Sequence, residues 1–340
     1  MVEEEPSWWW EYAAMKAPDH NELYYVKYTF MSIAYFCTVL LVTHWLCMRY
    51  IPLFRELDDK KRIEYRSHIV GMTHAVVAVL LSTISMWYIC PGDQTVFNSD
   101  ECMNTPRYIH VWALLHSCGY FIVDFFFIFF VMQGNTTLDY QTYAHHIVAT
   151  TTFYQTLYFM DFMIVFGVML LFTEISTPFL SGRWLFFTHN NTQSKWYQAN
   201  ILCLFLSFLG GRVIYQFYIV LFYGADWVYA EYMKRNLTVY QGLVVTEMAV
   251  MVILSIALNS YWLWLMIKMI IRVVKRALSP PEEDIEKVEL VKADGLAIDN
   301  EADCGSSTQG SAANSEQIAE EGQDDKEVHG QNIGAIGNDV

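Results

Sequence analysis

Between residues 28 and 271 the chain alternates long apolar stretches with short polar connections. A transmembrane helix needs ~17–25 predominantly apolar residues. Seven segments qualify: 28–48, 69–89, 109–132, 143–159, 162–180, 197–223 and 241–271. The last is long enough to tilt or protrude. Only Met160 and Asp161 separate the fourth from the fifth. Two antiparallel helices are the simplest reading of that link, and a single kinked or re-entrant element is the alternative, which changes the parity. No internal repeat occurs, and no matched pair of broken helices of the kind that marks transporters.

Basic residues orient the spans, because cytosolic connections carry the excess of Lys and Arg. The first connection holds Arg49, Arg55, Lys60, Lys61, Arg62 and Arg66, and Arg272, Lys275 and Arg276 follow the last span. Seven spans put both clusters on one side, the cytosol, whereas six put them on opposite sides, so seven is favoured. The N-terminus and the loop between Cys90 and Cys102 are then lumenal. Lys234 and Arg235, also placed outside, are a weak counter-signal. Sequons stand at Asn135, Asn190 and Asn236, of which only Asn236 is lumenal in this topology. The start, MVEEEPSWWWEY, lacks the basic and apolar regions of a signal peptide. Residues 1–27 read instead as an interfacial segment anchored by Trp8, Trp9 and Trp10.

Composition narrows the classes. With 54% hydrophobic and 17% charged residues, and with 11 Trp, 22 Tyr and 22 Phe, the chain is not a soluble enzyme built on one core. Its net charge of −15 argues against a nucleic-acid partner. The acidity is local: residues 281–340 hold 16 acidic and 3 basic side chains, net −13, against 20 and 18, net −2, in the rest. A polar, acidic tail with few aromatics cannot bury enough surface to offset its ordering entropy. Residues 276–340 are therefore expected to be a disordered cytosolic tail, either plainly solvated or carrying a motif for a cytosolic partner. Cys37, Cys47, Cys118 and Cys203 lie in apolar runs as packing residues, and Cys304 lies in the tail. Cys90 and Cys102 flank one short polar loop and are expected to pair if that loop faces an oxidising lumen.

Ionisable groups at membrane depth are costly, so each marks a candidate site. His68 stands at the mouth of the second span and His74 inside it. In the third, His116, Tyr120 and Asp124 recur at i, i+4 and i+8, a single stripe expected to face the bundle interior. The fourth opens with His145 and His146. His145, Thr152 and Thr156 share one face, and His146 and Thr150 the adjacent one. A helix polar around so much of its circumference lines a cavity or packs centrally. Glu174, Arg212, Glu247 and Asn259 complete the set. Plain structural readings stand beside these. His68 and His74 read as hydrogen-bonded packing residues, Asp124 with Arg212 as an ion pair or network, and Glu174 as part of a polar cluster at a helix end before Pro178. Adjacent His145 and His146 point about 100° apart, so they do not form the i, i+4 pair of a helical zinc site. They can divide roles, one as base or nucleophile and the other held by hydrogen bonds, with structural packing as the alternative. No P-loop, nucleophile elbow, H-E-x-x-H motif or set of histidine boxes is present, and neither metal nor cofactor is expected.

Several of these pieces carry a resemblance. Ser67-His68 through Thr73-His74-Ala75, H-S-C-G-Y-F-I-V-D at 116–124, Y-A-H-H-I-V at 143–148, E-I-S-T-P-F-L-S-G-R-W at 174–184 and F-L-G-G-R-V at 208–213 occur in this order. Together they resemble the TLC-domain family, which includes the ceramide synthases, over residues 60–275. The resemblance implies an all-α membrane fold in which six of about seven helices form a bundle around a central cavity, with one extra helix, in 28–59, in front. In ceramide synthases the paired histidines lie in that cavity and are tied to acyl transfer from acyl-CoA to a sphingoid amine; His145 and His146 are the matching positions. Where that branch has H-D-x-x-D, this chain reads Thr173-Glu174-Ile175-Ser176-Thr177, similar to the branch that does not make ceramide.

Two functional readings follow. In the first, the chain serves membrane lipid homeostasis. It binds, senses or handles a lipid or acyl chain in a cavity lined by His74, His116, Tyr120, Asp124, Thr152, Arg212 and Glu247. In the second, it is an acyl-CoA-dependent N- or O-acyltransferase with His145 as nucleophile or base, His146 as its partner and Glu174 or Asp124 as the orienting carboxylate. Near the fourth to sixth spans the cytosolic connections offer only Arg183 and Lys195 to the phosphates of CoA, which favours the first. A channel is weaker still, because the charges are few and of mixed sign. The expected partner is a membrane lipid, a homodimer is open to it, and the expected site is the endoplasmic reticulum or another secretory-pathway membrane.

Overall fold

The computed structural model describes residues 9–17, 22–135, 137–159, 161–226, 229 and 239–278. Among them the regular structure is helical, joined by short turns and loops, with one isolated antiparallel bridge between Lys16 and Arg107. A short α1 (Trp9–Ala14) precedes α2 (Glu22–Tyr50). Pro52 opens α3 (Pro52–Glu56), where its missing N–H costs nothing. Asp58 caps α4 (Asp59–Trp87) by accepting from Lys61 N at 2.8 Å. After α5 (Asp100–Asn104) comes α6 (Tyr108–Phe126), which ends in a π-helical turn, Phe127–Met132. Next are α7 (Thr137–Phe159) and α8 (Asp161–Leu171), and then a 3₁₀ turn, Phe172–Ser176, feeds α9 (Thr177–Thr188). The stretch from α10 (Lys195–Ser207) to α11 (Gln216–Ile219) passes through a π-helical segment, Phe208–Tyr215, and a second one, Val220–Gly224, follows. The last helix is α12 (Val239–Leu278).

Among the described residues six segments are long and apolar enough to cross a membrane: Glu22–Tyr50, Asp59–Trp87, Tyr108–Met132, Phe162–Thr188, Lys195–Gly224 and Gly242–Lys268. The seventh expected span is α7. Its 23 residues reach about 34 Å, enough for a ~30 Å hydrocarbon core, but its Thr, His and Gln content keeps it out of that set. A Cβ on Gly167 of α8 would lie 3.8 Å from Thr156 Oγ1 of α7. In one continuous helix those positions would be about 16 Å apart, so α7 and α8 fold back on each other as two helices.

Three boundaries differ from the sequence reading. Lys60, Lys61, Arg62 and Arg66 lie on the first turns of α4, not in a loop. Pro178 sits in the first turn of α9 and does not end the fifth span, because a 3₁₀ turn carries the helix past it to Thr188. Residues 276–278, assigned to the tail, are helical. The tail beyond Leu278, Trp8, Asn236 and the Lys234–Arg235 pair lie outside the described residues.

The chain divides into two units, Met1–Trp264 and Leu265–Val340. In the first, α6 is the central helix: 56% of its most apolar stretch is buried, against 22% for α2. It packs against α2, α4, α7 and α8. Gly119 allows the approach of α2, since a Cβ there would meet Ser32 Oγ at 2.2 Å, and Ser32 Oγ donates to His116 O at 2.8 Å. Exposed Leu23, Phe30, Leu41 and Trp45 give α2 the outward apolar face that lipid requires. At one end of α4, Met86, Ile89 and the bonded pair Cys90–Cys102 pack under α8; at the other, Cys47, Phe54 and Tyr65 pack against Trp184 and Leu185 of α9.

Candidate functional site

The polar residues of the spans gather into three groups. The first lies between α4, α6 and α7. Asp124 Oδ1 accepts from Ser67 Oγ at 3.0 Å, and Asp124 Oδ2 lies 3.6 Å from His146 Nδ1, with both side chains buried. That separation gives attraction if the imidazole is charged but is too long for a hydrogen bond, and His146 Nδ1 has no hydrogen-bond partner among the described residues. One turn back on α6, the Tyr120 ring lies flat on the imidazole of His74, with centroids 4.0 Å apart and planes at 9°. His74 Nε2 meets Ser117 Oγ at 3.1 Å, and Ser117 Oγ lies 3.0 Å from Ala113 O. A serine has one proton and the carbonyl can only accept it, so His74 Nε2 is the donor to Ser117 and its Nδ1 is the bare nitrogen. His116 starts the same stripe but faces α2, with its ring 4.8 Å from that of Phe36.

The second group is a buried ion pair held by two hydroxyls. Arg212 Nη2 donates to Glu174 Oε2 at 3.2 Å and to Thr177 Oγ1 at 2.8 Å, and Arg212 Nε donates to Ser176 Oγ at 2.8 Å. Thr177 Oγ1 donates to the same carboxylate oxygen at 2.5 Å. The sequence places Asp124 opposite Arg212, and the structure corrects this: Arg212 pairs with Glu174, and Asp124 with Ser67 and His146. Two local distortions produce the pairing. The 3₁₀ turn and the first residue of α9 present Glu174, Ser176 and Thr177 together, and Arg212 stands in a π-helical segment, a distortion frequent at functional sites. Gly211 lets the two approach, since a Cβ there would lie 2.5 Å from Ile175 Cγ2.

The third group latches α12. Gln155 Nε2 of α7 donates to Glu247 Oε2 at 3.1 Å. Asn259 Nδ2 donates to Gln216 Oε1 at 2.7 Å, and Gln216 Nε2 to Ser255 Oγ at 3.0 Å. Gln216 is the residue the sequence reading missed. It is 2% exposed in an otherwise apolar stretch, and its polarity was the signal.

His145 stands between the groups. Its ring is 5.7 Å from that of Phe121 and 5.6 Å from that of His146, and it lies within electrostatic range of Glu174 and Arg212. It is nevertheless exposed, whereas His146, Asp124 and Glu174 are buried. Its neighbours Ala144 and Ile147 are exposed as well, so His145 lies on the accessible side of α7 while touching the polar core. Thr152, two turns on, is half-buried, and Thr156 on the same face is closed off by packing. The adjacent histidines thus divide, one packed against a carboxylate and one open. His68 belongs to none of the groups; it stacks on Trp184 at 4.4 Å, with Nδ1 3.3 Å from Ser181 Oγ. Among the described residues no three His, Cys, Asp or Glu side chains converge as metal ligands.

Helices long and apolar enough for a bilayer, with histidines, carboxylates and an arginine drawn into their midst, define a multi-pass integral membrane protein with a polar core. Comparison with known proteins places it more closely. The TLC domain matches residues 64–268, and the chain belongs to the TLC-domain family. It is 25% identical over 174 residues to TLC domain-containing protein 4-B of Danio rerio, covering 49% of this chain and 60% of that protein. Human TLC domain-containing protein 4 is 27% identical over 159 residues, 47% of this chain and 55% of the relative. Human TLC domain-containing protein 1 is 23% identical over 155 residues, 46% and 59%. These relatives stand outside the ceramide synthases, and the chain spans between about half and three fifths of their length.

Proposed function

We propose that this protein handles a membrane lipid, holding its polar head beside the accessible His145 while the acyl chain lies among the bundle's apolar side chains. The observation that carries the reading is the accessible imidazole of His145 set against the buried Glu174–Arg212 pair and the Phe121 ring. That surface combines a hydrogen-bonding group, a fixed dipole and an apolar wall, which together suit an amphiphile. Tyr120, His74, Asp124 and His146 form the rigid backing, and Thr152 and Glu247 extend the polar lining. Lipid homeostasis in a secretory-pathway membrane, with the acidic tail cytosolic and the Cys90–Cys102 loop lumenal, is the setting that this reading and the basic clusters favour.

The test is lipid identification. Protein purified in mild detergent is expected to carry one lipid class enriched over the bulk membrane, and His145→Ala is expected to lose it with the melting temperature unchanged. Lipid content equal to that of the bulk membrane in both proteins contradicts the reading. An acyltransferase would use the same residues, with His145 as base or nucleophile, His146 turned by Asp124, and acyl-CoA as substrate. The geometry that favours it is the 3.6 Å His146–Asp124 approach beside an open imidazole.

A further inference from the structure

Away from the histidine core, where α9 meets α4 and α10, lies an open cleft of about 480 Å³. Met72 of α4 and Phe179 and Leu185 of α9 form its apolar walls, and Tyr65, His189 and Asn200 supply its polar groups. Those polar residues sit at helix ends: Tyr65 in the second turn of α4, His189 just past α9 and Asn200 in the second turn of α10. Met72 is seven residues further along α4 than Tyr65, about 10 Å deeper. Tyr65 and His189 therefore make a polar rim at the end of the bundle, and the cleft runs from there along α4 and α9 to Met72 and Phe179, where Asn200 is the one polar group.

Its chemistry selects a ligand. No Asp, Glu, Lys or Arg is among the described residues that line it. A charged head would enter without a counter-charge and lose its hydration, which is costly, whereas a neutral one needs only hydrogen bonds. These are on offer. Tyr65 Oη and His189 Nε2 meet at 3.0 Å, which leaves the phenolic oxygen a further lone pair and His189 its Nδ1. Asn200 spends Nδ2 on Phe179 O at 2.9 Å and keeps Oδ1 as an acceptor. The volume lies within the ~300–1,000 Å³ of sites that hold one small molecule.

We propose that this cleft binds a single-chain lipid with an uncharged hydroxyl- or amide-bearing head, the head at Tyr65 and His189 and the chain towards Met72. The site shares no residue with the surface beside His145 and stands whether or not that surface holds a lipid.

The probe is a monoacylglycerol with a photoreactive diazirine in its chain, offered to the full chain in phosphatidylcholine nanodiscs. Labelling is expected on the peptides holding Met72 and Phe179–Phe186. His189→Ala removes one hydrogen-bonding group and should weaken labelling about five-fold. Leu185→Trp fills the cleft and should abolish it, while His145→Ala leaves it unchanged. If Leu185→Trp does not fold, Met72→Phe adds a smaller amount of bulk at the deep end, should weaken labelling, and takes its place. Unlabelled monoacylglycerol should compete better than palmitate or lysophosphatidylcholine. Labels elsewhere, labelling that survives the filled cleft, or better competition by a charged lipid would overturn the proposal.

Discussion

At the residue scale the decisive interaction is the Glu174–Arg212 pair, whose side chains are 11% and 12% exposed. Removing one partner of a buried pair strands the other charge, which costs about 3–5 kcal/mol, whereas replacing both with apolar groups is often nearly neutral. Arg212→Met alone should therefore lower the melting temperature sharply in detergent, and Glu174→Leu with Arg212→Met should recover most of the loss. Equal losses in the single and double variants would show that the pair is not the cause. His74 is a second case. His74→Ala leaves Ser117 without its donor and Tyr120 without its stacking partner, an expected cost of about 1–3 kcal/mol, read as lost melting temperature. The identity of these residues was legible because charge and imidazole are conspicuous in apolar runs. Their pairing was not. Which carboxylate meets Arg212 depends on a 3₁₀ turn at 172–176 and a π-helical segment at 208–215, and helix periodicity predicts neither.

At the element scale two glycines set helix spacing. Gly119 seats α2 on α6 and Gly211 seats the 208–215 segment on Ile175; a Cβ would meet side-chain atoms at 2.2 Å and 2.5 Å respectively. Gly119→Ala and Gly211→Ala should each cost about 1–3 kcal/mol as the helices are forced apart. They should differ in effect, because only Gly211→Ala displaces Arg212 and so disturbs the site. Thermal unfolding paired with lipid occupancy separates the two, and equal loss of occupancy in both would contradict this division of labour. Apolar runs of spanning length made the helices legible, including the fold-back of α7 on α8. Their ends were less so. Charged side chains such as Lys60 and Arg66 sit comfortably on helical turns beyond the apolar run, so hydropathy stops short of where α4 begins.

At the scale of the whole molecule, the basic clusters predict a cytosolic C-terminus and a lumenal loop between Cys90 and Cys102. A C-terminal tag on sealed microsomes should be digested by added protease, and a protected tag would overturn the seven-span topology. The family was legible from five ordered motifs, because their polar residues stand out at fixed spacing within apolar runs. Whether the polar core holds a lipid or transforms one is the central question, and a single preparation answers it. Wild type, His145→Ala and His146→Ala are measured side by side for bound lipid, melting temperature and acyl transfer from labelled acyl-CoA to amine and alcohol lipids. The expected result is no transfer by wild type, lost occupancy in His145→Ala at unchanged melting temperature, and lowered stability in His146→Ala, whose imidazole is buried against Asp124. Transfer by wild type that either substitution removes, with melting unchanged, would contradict the lipid-handling account and establish an acyltransferase.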